Sequence, residues 1–238
     1  MKLDILAFAA HPDDVELACS GTIAKMQRQG KKVGIIDLTR GELGTRGTAE
    51  IRDQEAAASA KILKLDVREN LGFRDGFFVN DEIHQLRVIE MIRKYQPEVI
   101  LINAPTDRHP DHGKGSQLLR DSAFLSGLRR IPTAINGEPQ TPWRPKKTFK
   151  YIQDYYLQPS FVIDISDTWE IKMEAIKAFA SQFFDPNSKD PSTYISSPRF
   201  MRYIESRAQE FGHRIGVEYG EGFISETPIK VNDMLDLV

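Results

Sequence analysis

The sequence predicts an α/β protein: a Rossmann-like, doubly wound, mostly parallel sheet with a small C-terminal extension. Two observations lead there. Short apolar runs with little alternation, Leu3–Ala10, Val33–Thr39 and Glu98–Ala104, read as strands buried on both faces, the habit of parallel sheets. Segments of helical periodicity lie between them, so the chain repeats strand–helix–strand units. The 238 residues fit one domain, with a Rossmann-like core over about residues 1–130 and C-terminal strands and helices over about 148–238.

The elements follow in order. After the first strand, residues from about Val15 to Gln29 carry Ile23 and Met26 at helical spacing, and Gly30 is a good C-cap. Val33–Thr39 is the second strand, followed by a polar loop from Gly41 to Gly47. Thr48 is an N-cap for an alanine-rich helix to Lys64, and a short strand is expected at Val67–Leu71. Asp81 opens a helix through Ile83, Leu86 and Ile92 that Gln96-Pro97 stops, and a strand at Glu98–Ala104 precedes a helix over Gly113–Leu128. Ile131–Lys147 reads as loop or linker. Thr148–Leu157 and Phe161–Ile165 read as strands, and Asp167 as the cap of a helix to about Phe184. A polar loop, Asp185–Pro198, is long enough to carry function; a last helix runs from about Pro198 to Gly212, and the glycine-rich tail turns back on the body.

Composition narrows the partners. Lys+Arg is 32 and Asp+Glu 34, a net charge of -2 that gives no basic excess for nucleic acid. No run approaches the ~20 apolar residues of a membrane span. Met1-Lys2-Leu3-Asp4 leads no secretory signal, so a cytoplasmic location is expected. The single cysteine, Cys19, rules out a disulfide within the chain and reads as a buried structural thiol.

Chemistry concentrates in two segments, His11-Pro12-Asp13-Asp14 and His109-Pro110-Asp111-His112. Both are placed on loops at the carboxyl ends of strands, where an open α/β sheet binds its ligands. They gather three of the 5 histidines at one sheet edge. Imidazole and carboxylate together suit a divalent ion of borderline softness, and two histidines with one carboxylate leave a position for water. Adjacent carboxylates in a tight turn point different ways, so one of Asp13 and Asp14 can ligate while the other serves as general base. The spare histidine can stabilise an oxyanion or protonate a leaving group. One His-Pro-Asp turn alone would read as structural; two at equivalent strand ends point to a metal.

These motifs resemble the LmbE-like (PIG-L) family of zinc-dependent N-acetylglucosamine deacetylases. The likeness extends to Thr39–Glu42, Arg52 with Glu55, and the glycine-rich end Gly216–Phe223. His11–Glu16, Gly21–Lys25 and Ser197–Phe223 resemble in particular the branch that deacetylates N-acetylglucosaminyl malate in bacillithiol biosynthesis. Leu17–Ser20 departs from the glycine-richer stretch the family has there. Carried over residue by residue, the resemblance implies zinc (or Fe2+) on His11, Asp14 and His112, with Asp13 as general base. It implies a positively charged His109 as oxyanion stabiliser, its imidazole held by Asp111. It also implies an acetylated amino-sugar conjugate as substrate and a homo-oligomer, for which the Phe183-Phe184 region offers apolar surface. Arg52 is the expected partner of a malyl carboxylate, and Tyr194, in the long polar loop, is expected to close over the substrate and donate a phenol hydrogen bond; Arg46 and Arg108 lie on rim loops. Inositol-linked or chitobiose-type conjugates are alternative substrates.

Two other classes are weighed. Two histidines and a carboxylate also form the facial triad of non-haem iron oxygenases, which sit on all-β scaffolds. A nucleotide- or sugar-binding module would want a glycine-rich phosphate loop after the first strand, where two aspartates stand instead.

Overall fold

A computed structural model describes residues 1–183 and 189–237. It contains β1 (Ile5–Ala9), α1 (Asp14–Arg28), β2 (Val33–Thr39), α2 (Ala49–Ile62), β3 (Val67–Phe73), α3 (Glu82–Tyr95), β4 (Val99–Ile102), α4 (Pro110–Leu125), β5 (Ala134–Ile135), β6 (Glu138–Pro139), β7 (Lys147–Tyr151), β8 (Phe161–Asp164), α5 (Trp169–Lys177), α6 (Pro198–Arg214) and β9 (Gly220–Ser225). Seven strands form one sheet in the order β3-β2-β1-β4-β7-β9-β8, and β5-β6 form a separate hairpin. β1 pairs in parallel with β2 on one side and β4 on the other, Ile5 lying opposite both Val33 and Val99. Strand order therefore reverses between β1 and β4, and the crevice above their carboxyl ends is the topological switch point.

The doubly wound fold is as the sequence predicts. One face of the sheet buries Leu6, Phe8, Ile36 and Ile102 under α3 and α4. The other buries Ala7, Ala9, Val33 and Ile35 under α1 and α5. Both faces of β1 and β2 are covered, which is why these strands carry apolar runs without alternation. Thr48 and Asp81 cap α2 and α3, accepting from Ile51 N–H at 3.3 Å and His84 N–H at 3.0 Å. Among the described residues no helix is long and apolar enough to cross a membrane.

Several expectations are corrected. α4 begins at Pro110, not Gly113, so the second motif lies on a helix N-terminus rather than in a loop. The expected strand through Leu157 ends at Tyr151. α5 starts at Trp169 after a 3-10 turn and ends at Lys177; Asp167 makes no cap and pairs with Arg28 instead. Phe184 and residues 185–188 lie outside the described residues. The stretch read as a linker contains the β5–β6 hairpin, turned by Asn136 and Gly137 at φ 53° and 83°, as a two-residue Asn-Gly turn requires. The tail contains β9, the antiparallel strand that pairs with both β7 and β8 and ties the C-terminal part into the same sheet. Its glycines let α6 sit close: a Cβ on Gly220 would stand 2.9 Å from the Gly212 backbone nitrogen. Phe183, expected to be an apolar surface residue, is only 3% exposed and stacks on Phe200, 6.2 Å between centroids.

Candidate metal centre and active site

The two motifs are built alike. Each strand ends, the chain turns through His-Pro, and a helix begins within the next residues. Asp13 is the N-cap of α1 with φ 123° and ψ -21°, a conformation L-residues seldom adopt. His109 is the N-cap of α4, its Nδ1 accepting the Asp111 N–H at 3.3 Å, with Pro110 in the first turn.

The fold brings His11, Asp14 and His112 together. Asp14 Oδ1 lies 3.0 Å from His112 Nε2, and Asp14 Oδ2 lies 3.7 Å from His11 Nδ1. All three are buried. The far nitrogen of each ring is fixed by carboxylates: His11 Nε2 by Asp75 at 3.0 Å and Asp111 at 3.4 Å, His112 Nδ1 by Asp107 at 2.6 Å. Carboxylate behind imidazole is how metal-binding histidines are held, since it sets the tautomer and points the free lone pair inward. Asp14 is held in turn by the amides of Asn103 (2.9 Å) and Gln153 (3.0 Å) and by the His11 N–H (3.0 Å). Ring nitrogens of His11, His109 and His112 also lie within 4.8 Å of one another.

The electrostatics fit a cation. Burial disfavours charge on His11, yet Asp111, Asp75 and Asp14 outweigh it and raise its pKa to about 10. His112 is raised to about 9 against its burial by Asp14 and Asp107. Asp14, though buried, is held well below the usual carboxylate range by His112 and His11. Without a metal the site holds positive charge on two imidazoles around one carboxylate. A divalent ion replaces those protons with the same sign of charge, so the donor set fits one.

Asp13 stands beside this cluster. Burial raises its carboxyl to about 7, against the pull of Arg52. Arg52 donates to Asp13 Oδ2 at 2.9 Å and to the Pro12 carbonyl at 2.6 Å, while its buried Nε has no hydrogen-bond partner among the described residues. The arginine expected to meet substrate is thus engaged with Asp13. His109 differs from expectation too. Burial, then repulsion by His11 and His112, pushes it down to about 4, so it is neutral rather than cationic at pH 7. With Nδ1 accepting the Asp111 N–H, the remaining proton sits on Nε2, a hydrogen-bond donor. The Asp111 carboxylate does not hold this imidazole: it accepts from Gly76 N–H (2.7 Å) and Lys114 (3.1 Å) and faces His11.

These groups line a cavity of about 430 Å³ whose rim includes Arg46, Arg108 and Tyr194. Tyr194 is half exposed; its hydroxyl donates to Asp154 at 2.9 Å and its ring lies under Arg108, 4.6 Å away. Arg46 is buried and donates to the Ser181 carbonyl at 2.9 Å. Sequence reasoning missed Asp75, Asp107, Asn103 and Gln153. Asp75 follows β3, Asn103 follows β4 and Gln153 follows β7, all at strand carboxyl ends, which was the available signal. Cys19 is fully buried, and burial pushes its thiol up, as a structural thiol requires.

Fold and donor set together define a class: a doubly wound α/β protein with a histidine–carboxylate cluster, able to hold a metal ion, at its switch point. Residues 6–123 match the PIG-L family, described as GlcNAc-PI de-N-acetylase. The conserved protein TT1542 of Thermus thermophilus is 35% identical and superposes with a TM-score of 0.87 over 98% of both chains. The chain belongs to the PIG-L family. Among curated relatives, the diacetylchitobiose deacetylase of Thermococcus kodakarensis is 27% identical over 229 residues, 92% of this chain and 81% of that protein. The probable N-acetyl-alpha-D-glucosaminyl L-malate deacetylase 2 of Bacillus subtilis is 25% identical over 195 residues, 76% of this chain and 84% of that protein. The likeness therefore carries the family and not the malate branch alone.

Proposed function

We propose that this protein hydrolyses the acetamide of an N-acetylglucosamine conjugate, with a divalent metal on His11, Asp14 and His112. The observation that carries the reading is Asp14 between two imidazoles whose far nitrogens are each fixed by a carboxylate. When bound there, a zinc ion (or Fe2+) supplies Lewis acidity to the acetamide carbonyl and lowers the pKa of a water to about 7. Asp13, held by Arg52 at 2.9 Å, takes a proton from the attacking water as general base. His109 Nε2–H donates to the carbonyl oxygen as negative charge develops, and needs no positive charge of its own to do so. The C–N bond breaks, Asp13 returns its proton to the departing amine, and the products are acetic acid and the amine, which leave at neutral pH as acetate and ammonium.

The substrate we favour is N-acetylglucosaminyl malate. Arg52 is engaged with Asp13, so the partner we assign to a malyl carboxylate is Arg108 on the rim, beside Tyr194 and 3.8 Å from Asp154. The test is amine release from N-acetylglucosaminyl malate, diacetylchitobiose and N-acetylglucosaminyl inositol, with chelator and with zinc restored. Chelator-sensitive release, fastest with the malate conjugate, is expected. Faster release from diacetylchitobiose overturns the malate assignment, and no release from any of the three overturns the deacetylase reading.

A further inference from the structure

Helix α1 is not one helix. Cys19, midway along it, has φ -143° and ψ 18°, so the hydrogen-bond ladder breaks between the turn that carries Asp14 and the remainder. In a continuous helix the N–H groups of Gly21 and Thr22 would bond the carbonyls of Leu17 and Ala18. Here they donate instead to the two carboxylate oxygens of Glu221, at 3.0 and 2.7 Å. The carbonyls freed on the other side are taken by Lys172, whose Nζ donates to Glu16 O and Leu17 O, both at 3.1 Å. Arg207 adds a bond to Leu17 O at 2.7 Å, and Lys172 and Glu221 pair at 2.7 Å. Lys172 and Glu221 are 1% and 3% exposed. Glu221, from β9, thus acts as an N-cap for the second half of α1, and Lys172, from α5, as a C-cap for the first.

A buried ion pair is a poor way to add stability, because desolvating both charges offsets most of their attraction. This pair does something an apolar pair could not: it satisfies backbone groups that exist only if α1 is broken. The break fixes the direction of the single turn Asp14–Ala18. At its other end that turn is anchored by Asp13, in its rare positive-φ conformation and clamped by Arg52.

We propose that Lys172 and Glu221 are positioning residues: by splinting the break in α1 they aim Asp13 and Asp14 at the metal position, from outside the cavity wall and without touching substrate. This rests on the metal reading of His11, Asp14 and His112. A straightened α1 would re-pair Gly21 and Thr22 with Leu17 and Ala18 and swing its first turn away from His112.

The test uses the paired substitution Lys172→Met with Glu221→Leu, since either change alone leaves a buried charge without its partner and endangers folding. The double variant is expected to keep a thermal midpoint within a few degrees of the parent without metal. Its zinc dissociation constant, measured by chelator competition, should rise at least tenfold, kcat should fall at least tenfold, and KM should change less than threefold. Lys172→Arg, which keeps the donors and the charge, should return zinc affinity to within threefold of the parent. A crystal structure of the metal-free double variant should show α1 continuous through Cys19. A parental zinc constant and an unchanged break overturn the proposal. If the parent itself binds no zinc, the metal reading has failed, and the variant's crystal structure still decides whether the pair splints α1.

Discussion

Asp13 is the residue at which activity and stability should part company, and Asp13→Asn separates them. The carboxyl is 5% exposed and raised to about 7 from 3.8. About three pH units at about 1.4 kcal/mol each give an upper bound of about 4 kcal/mol for what an ionised Asp13 costs the metal-free fold. Water in the cavity and relaxation of Arg52 reduce this to about 1–3 kcal/mol. The sign follows from the order of the two pKa values. As pH rises from about 4 to 7, the unfolded chain releases its proton at Asp13 while the folded chain retains it, so the parent loses stability over that window. Asparagine has no such proton, keeps an oxygen for Arg52 to donate to, and tolerates positive φ. The variant should therefore match the parent at pH 4 and exceed it at pH 8. At about 2–4 °C per kcal/mol for a chain this long, the midpoint gain is about 2–12 °C. Removing a general base costs about 10²–10⁴ in turnover, so the same variant with zinc should be nearly inactive while holding the ion. The assays are thermal unfolding of chelator-treated protein at both pH values and amine release with zinc present. A variant less stable than the parent at pH 8 would refute the burial argument, showing the Arg52 pair to be net stabilising. Turnover near the parental rate would refute Asp13 as the base.

Three further outcomes follow from the geometry. His109→Ala should lower kcat by about 10²–10³ with zinc affinity unchanged, the signature of a lost oxyanion donor; an equal loss of zinc binding would instead make His109 a ligand. Asp107→Asn should weaken zinc binding by about 10–100-fold in chelator competition, because His112 loses the carboxylate that orients it at 2.6 Å; unchanged affinity would leave Asp107 without that role. Gly220→Ala should destabilise the protein by about 1–3 kcal/mol in denaturant unfolding, since the new Cβ meets Gly212 backbone at 2.9 Å and Val162 at 2.6 Å, and a midpoint unchanged from the parent would mean α6 can move.

The legible parts of this chain are those where local chemistry decides. Thr48 and Asp81 announce helix starts because a short polar side chain caps free N–H groups wherever a helix begins. Asn136-Gly137 announces a turn by the same local logic, but its strands are two residues each, too short to show an alternating pattern. β9 was not legible: its glycines lower strand propensity, and they are there because α6 packs against them, a contact between segments that no local pattern contains. At the site, His11, Asp13, Asp14, His109 and His112 could be read because Pro-flanked pairs stand at strand ends. Asp75 and Gln153 offered no more than a place after a strand, and Asp107 not even that, since each is a single polar residue whose role exists only opposite a histidine or Asp14.

What the sequence determined by itself was the parallel, doubly covered sheet and the edge at which its chemistry gathers. Apolar runs without alternation admit few other folds, and two His-Pro-Asp turns after strands can meet only at the switch point. Tertiary structure decided the charges and the aim. Burial pushes the Asp13 carboxyl up against the pull of distant Arg52, and burial with the distant His11 pushes His109 down. Arg52 reaches Asp13 from α2, and Lys172 and Glu221 reach the break in α1 from α5 and β9. Desolvation and charge act through space, and a linear sequence records which groups a chain has but not which of them will share a low-dielectric pocket.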